Sequence, residues 1–276
     1  MPGHDRTTSG RRRRRHRAAA SCALAALIAG CSAGDPQRAP AGPSPAPAAP
    51  SSASADPVPG EQPAVRFTAD PARVPENAAQ AEALTDRVAF QPADWGPDFR
   101  AEAAPESRPR TVAALDGQCR WQRVPLPPGV LASRSRYAWL PGSAGKGPLR
   151  VTAVVTVYAT EQAADRELAD ALEQSLRCPE QQIRDGERVG GLQSAASPFG
   201  VHGQQWADDH VIEQGFYATP DGARPYSWGV GRIGAVTIGV SVRGGAGHTP
   251  QDLLVQANAP MAGMGERVKA RLGREG

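Results

Sequence analysis

The run Leu149-Arg150-Val151-Thr152-Ala153-Val154-Val155-Thr156-Val157-Tyr158 decides the fold class. It is dense in β-branched residues, which suit a pleated surface, and it reads as a central strand. Directly after it, Thr160 is placed to cap a helix over Glu161 to about Arg177. Ala164, Leu168, Leu172 and Leu176 recur at helical spacing on one face, with Glu161, Asp165 and Glu173 outside it. Cys178-Pro179 stops the helix.

Working outward, strands are predicted over 193–198 and 210–218, followed by a hairpin of 226–233 with 235–243. In its second arm Val236, Ile238, Val240 and Val242 share one face, while Thr237, Ser241 and Arg243 share the other. Such alternation marks a sheet with one dry face. A closing helix runs from Thr249 to about Leu272, with Thr249 at the cap and Pro250 in the first turn. Its stripe is Leu253, Ala257, Met261, Met264, Val268 and Leu272, and Pro260 should kink it. Upstream, a helix from Pro75 or Glu76 to about Ala89 carries Ala81, Leu84 and Val88. It ends in the turn Gln91–Pro97, where Trp95 anchors. The expected architecture for residues 66–276 is a single α+β ectodomain: a curved, mainly antiparallel sheet with helices packed on one side.

Residues 1–30 have the tripartite form of a secretory signal. Arginines come first, then the apolar stretch Ala18 to Ala29, then Leu27-Ile28-Ala29-Gly30-Cys31. The apolar stretch is shorter than the roughly 20 residues a spanning helix needs. The last five residues resemble a bacterial lipobox, which implies diacylglycerol on Cys31 and cleavage after Gly30. Two palmitate-type chains on one cysteine make a lasting membrane anchor. Cys22 leaves with the leader. The arginine run leaves both the general secretory and the twin-arginine export routes open. From Ser32 to about Val65 the chain is nearly all Ala, Pro, Ser and Gly, with nine prolines, and reads as a disordered spacer within the 31–65 segment.

Charge narrows the partners. Of 31 basic and 28 acidic residues, the leader holds seven arginines and one acid, so the processed chain keeps 24 and 27, a net charge of −3. A mildly acidic chain offers no electrostatic case for nucleic acid, whose phosphates demand clustered Lys and Arg. Only Cys119 and Cys178 remain after processing, and in an oxidising compartment they are expected to form one disulfide. Two isolated cysteines without paired spacing make no zinc site, and no cofactor or metal is implied.

The familiar chemistries are missing as motifs. Gly229-Val230-Gly231-Arg232-Ile233-Gly234 spells GxGxxG, but a strand comes next rather than a helix, so it is a glycine-rich hairpin. His202 and His210 flank Asp208-Asp209 at a spacing that fits neither a helical zinc pair nor a calcium loop. The two acids read as a solvated turn. No GxSxG or SxxK appears, and no catalytic residue is assigned. The five tryptophans either fill the core or line a ligand cleft. Trp139 and Trp206, in loop-like settings, are the cleft candidates.

The opening helix, Cys119-Arg120-Trp121, the Val-rich strand 151–158 and Leu176-Arg177-Cys178-Pro179 together resemble an actinobacterial group. It comprises the extracellular sensor domains of PknH-type serine/threonine kinases and related stand-alone lipoproteins. The resemblance spans about residues 75–272 and implies an α/β fold with a cleft for an envelope ligand. Those domains carry two disulfides, whereas this chain has cysteines for one. The expectation is a non-enzymatic lipoprotein on the extracytoplasmic face of the membrane, binding an envelope ligand or protein partner. The alternatives are an envelope hydrolase without a recognisable motif and a structural or chaperone-like cell-wall protein. Cys31→Ala is expected to release the protein to the medium or leave it unprocessed. Cell fractionation checks this, and fully processed, membrane-retained mutant protein contradicts the anchor.

Overall fold

A computed structural model describes residues 67–194 and 206–274. Cys31, the leader, the spacer, His202 and residues 195–198 of one expected strand lie outside the described residues. In chain order the elements are α1 (Ala78–Val88), α2 (Pro92–Trp95), β1 (Arg100–Glu106), β2 (Thr111–Leu115), β3 (Trp121–Pro125), β4 (Val130–Leu140) and β5 (Leu149–Tyr158). Next come α3 (Glu161–Arg177), β6 (Glu180–Arg184), β7 (Glu187–Ser194), β8 (Asp209–Thr219), β9 (Gly222–Ile233), β10 (Val236–Arg243) and α4 (Pro250–Leu272). Eight strands form a curled antiparallel sheet in the order β1-β4-β5-β10-β9-β8-β7-β6, and β2 with β3 form a separate hairpin. The expected α+β class stands, and so does the disulfide, Cys119 to Cys178.

The β5–β10 ladder sorts the molecule into two faces. Val151 pairs with Val242, Ala153 with Val240, Val155 with Ile238 and Val157 with Val236. All of these are buried, and α1 and α4 cover them with Ala81, Leu84, Val88, Leu253, Met261, Met264 and Val268. The opposite face carries Thr152, Val154 and Thr156 against Ser241, Gly239 and Thr237. The sheet curls around this second face. Helices α1 and α4 thus share one side, whereas α3, expected with them, crosses the other, where its Glu167 and Gln174 face the polar strand parity. At the far ends of the curl, β2 packs on β4 and β3 on β6, so the hairpin spans the gap between the two halves of the sheet.

The α3 stripe departs from expectation. Ala164 and Leu168 are buried, but Leu172 is 42% exposed and Leu176 85% exposed. A row of residues four apart advances about 40° around the helix per step, so it winds about 120° away over three steps. The residues that stay inward are instead Glu167, Ala171 and Gln174. The other helices agree with their sequence patterns. Thr249 Oγ1 accepts from the Asp252 amide at 3.2 Å while the Asp252 carboxylate accepts from the Thr249 amide at 2.8 Å, and α4 continues through Pro260.

Strand β4 is masked in the sequence by its arginines. Arg136, only 7% exposed, points to the helix-covered side. It donates to Ala89 O (2.6 Å), Asp86 O (2.9 Å), Glu106 Oε1 (2.8 Å) and Asp86 Oδ1 (2.5 Å). A cation at the end of α1 satisfies carbonyls that the helix cannot, and the carboxylates complete its fork.

Asp208 corrects another reading. Its side chain is 4% exposed rather than solvated. It accepts from the amides of Phe67 and Gly234, both at 2.7 Å, and faces Arg232 at 3.5 Å. It thereby fastens the start of the domain to the β9–β10 turn. Asp208→Ala leaves two part-buried amides and a buried guanidinium without this acceptor. It should lower stability by about 2–4 kcal/mol, measured by urea unfolding.

Candidate binding cleft

The curl of the sheet, the hairpin and α3 together enclose a cleft of about 630 Å³. Its floor is the polar-parity face of the sheet: Ser135 and Tyr137 from β4, Thr152 and Val154 from β5, Ser241 from β10, Tyr226 and Trp228 from β9, and Glu213 from β8. The hairpin contributes Trp121, Gln122 and Arg123 as one wall, and α3 supplies Glu167, Ala171 and Gln174 as the roof. A cavity of this size with aromatic and aliphatic carbon broken by a few polar groups is the usual form of a small-molecule site.

The wall and the roof are tied together covalently. Cys119 ends the β2–β3 turn in a left-handed conformation (φ 59°) and bonds to Cys178 at the end of α3, 59 residues away. Asp116 shapes that turn by accepting from the amides of Gln118 and Arg120, both at 2.9 Å. The Cys119 carbonyl then accepts from the Gln182 amide at 2.8 Å, which docks the turn on β6. Beside the bond, Trp121 Nε1 donates to Gln181 Oε1 at 2.8 Å, which fixes the indole against the cleft.

Charge is distributed unevenly over the lining. Arg150 is paired with Glu102, and Arg184 Nε lies 2.8 Å from Glu187. Arg123 is held by neutral oxygens, donating to Ser135 Oγ at 2.5 Å and Tyr137 Oη at 2.8 Å. The two inward acids differ from ordinary surface carboxylates. Burial pushes the Glu167 carboxyl above its usual range, a bond from Tyr158 opposes that, and the neighbouring charge of Asp170 adds to it. Burial likewise raises Glu213, against the lowering effect of the Ser175 hydroxyl. Glu213 is 3% exposed and its Oε1 has no hydrogen-bond partner. Burial also raises the phenol of Tyr226.

The tryptophans lie differently from their sequence-based assignment. Trp139 sits on the cleft-side face of β4, two residues beyond Tyr137, with the Arg100 guanidinium 5.9 Å from its ring, and is not among the lining residues. Trp206 lies on the helix-covered side, packed over Gly231 of β9 and Gly265 of α4, with His210 at 5.7 Å. The tryptophans that line the cleft are Trp121 and Trp228. The hairpin register gives Trp228 away: Ile233 pairs with Val236, so Trp228 must pair with Ser241 on the polar face. Trp95 anchors the core edge-on against Phe90 at 5.8 Å. His248 Nε2 lies 3.0 Å from Gly147 O, away from the cleft. Among the described residues, no group of three His, Cys, Asp or Glu side chains is placed to hold a metal ion, and no helix is long and apolar enough to cross a membrane.

No family model matches the chain, and no curated protein matches its sequence. Among solved structures, it is similar to the extracellular domain of PknH from Mycobacterium tuberculosis, with a TM-score of 0.44 and 12% identity over 69% of this chain and 97% of that one. It is also similar to an Rv0999 orthologue from Mycobacterium smegmatis, with a TM-score of 0.32 and 12% identity over 74% of this chain and 97% of that one. The first is the domain type that the sequence resembles.

Replacing both Cys119 and Cys178 by serine frees a loop of about 60 residues and should lower stability by about 4 kcal/mol in the chain-entropy model. Hydrogen exchange is expected to rise first in the β2–β3 hairpin and the end of α3. Equal acceleration in β5 and β10 would mean that the bond holds the whole sheet rather than the cleft.

Proposed function

We propose that the chain is an extracytoplasmic binding protein, tethered through Cys31, that holds a small amphipathic ligand in the cleft. The observation that carries this reading is the cleft itself: a partly enclosed volume floored by Trp228 and Tyr226, walled by Trp121, and clipped shut at one side by a disulfide. A disulfide suits an oxidising compartment, which agrees with the secretory leader. The spacer would hold the domain clear of the membrane surface.

The chemistry of the lining favours binding over hydrolysis. Serines and carboxylates are present, and among the described residues no histidine or cysteine lines the cleft, so no Ser–His–Asp or Cys–His arrangement converges there among them. A second reading, a protein-docking role, rests on Leu172 and Leu176, which stand one helical turn apart and exposed on α3.

Native mass spectrometry of residues 66–276 secreted by a related host tests the leading reading. A reproducible non-covalent adduct is expected, with a Trp228→Ala variant losing it or holding it at least about tenfold more weakly. An adduct that survives unchanged in that variant lies outside the cleft. An adduct-free protein that instead captures a partner through Leu172 and Leu176 would favour the docking role.

A further inference from the structure

The most anomalous group in the cleft is Glu213. A buried polar atom without a partner is rare in folded proteins and asks for an explanation. Glu213 lines the cavity, is 3% exposed, and its Oε1 accepts no hydrogen bond. The other cleft carboxylates are accounted for. Glu102 is paired with Arg150, and Glu167 is bonded by Tyr158. What the Oε1 of Glu213 lacks is a donor.

The surroundings say which donor. In the β8–β9 ladder Glu213 is directly opposite Trp228, and Tyr226 is the next residue of β9 on the same face. Aromatic π-faces beside a carboxylate attract a cation by two additive routes, the ring quadrupole and the opposite charge, and both strengthen when water is excluded. A hydroxyl would meet only the hydrogen-bonding need. The rest of the cavity, with Val154, Ala171, Ile183 and Leu192, offers apolar carbon to a hydrophobic body.

Resting on the reading of the cleft as a binding site, we propose that its ligand is an organic amine: an ammonium group seated between Glu213 and the rings of Trp228 and Tyr226, carried on an apolar body. Burial of the empty carboxyl favours its protonated form, so binding of a cation is coupled to release of that proton. The charged and titratable groups that share the cleft lining with it are Glu102 on β1, Arg123 on β3, Tyr137 on β4, Arg150 on β5, Glu167 on α3, Arg184 on β6 and Tyr226 on β9, with Arg243 on β10 acting on Tyr226. Burial raises the Tyr226 phenol further above neutrality, and a guanidinium does not titrate in a protein, whereas Glu167 is displaced in the same direction as Glu213. Removing Glu213 therefore assigns the effect.

The test uses the full chain in its Cys31→Ala form, so that no acyl chain of its own competes, and three probes of one chain length: decylammonium, decanol and decanoate. Tryptophan fluorescence reads binding through Trp121 and Trp228. Decylammonium is expected to bind at least about tenfold more tightly than decanol, and decanoate more weakly than either. Its affinity should rise as pH rises above the ordinary glutamate range, because the burial-raised carboxyl loses its proton there while the alkylammonium stays charged. Glu213→Gln, which keeps size and hydrogen bonding, should reduce decylammonium to the affinity of decanol and flatten the pH profile. Should that variant unfold, the wild-type pH profiles of decylammonium and decanol still decide, because only the amine's should slope. Equal binding of amine and alcohol, or a preference for decanoate, overturns the amine assignment while leaving the cleft standing. Failure of all three probes to bind overturns the reading of the cleft on which it rests.

Discussion

The β5–β10 ladder is the constraint on which the rest of the structure depends. Along eight consecutive pairs, one parity is Val, Ala and Ile and the other is Thr, Ser, Gly and Arg, with Val154 as an apolar exception. The first parity must leave water, and α1 and α4 cover it. The second parity is too polar to be sealed by another helical layer but too enclosed to be left open. The sheet curls around it, α3 crosses above it, and the hairpin closes the gap. Core and cleft are thus two sides of one ladder, and fixing the core fixes the chemistry of the cleft.

How much of this is legible in the sequence depends on whether the signal is local. The ladder, the caps of α3 and α4 and the α1 stripe are encoded within a few residues of each other, and the structure agrees with them. The glycine-rich stretch at 229–234 is recognisable as a hairpin because the segment after it alternates like a strand. Strands β1 to β4 and β6 are not legible. Their inward residues include Arg136, whose burial makes sense only beside Asp86, Glu106 and the open end of α1, none of them a sequence neighbour. Asp208 resembles a solvated turn residue for the same reason: its donors come from Phe67 and from the β9–β10 turn.

The cleft is half legible. Trp228 lies on a parity that the hairpin register reveals, and the site of Trp206 is marked by Gly231 and Gly265, where the absence of a side chain makes room for an indole. Trp121 has no such clue, since its position depends on a disulfide that brings the hairpin to α3 from far along the chain. The α3 stripe shows how a periodic pattern misleads when traced at a fixed step. The straight line along a helix alternates three and four residues, so Ala171 and Gln174 face inward and the leucines do not.

The two-faced ladder also limits how such a protein can diversify. Each cleft residue on β5 or β10 is flanked in sequence by core residues, so a single inserted or deleted residue would exchange the two sets and bring threonines to the core and valines to the cleft. Descendants of this chain can change their ligand by substitution at alternate positions, while changes of length are confined to the turns and to the ends of the strands. Divergence of sequence in the cleft with strict conservation of strand length is therefore the pattern that selection would leave on this fold.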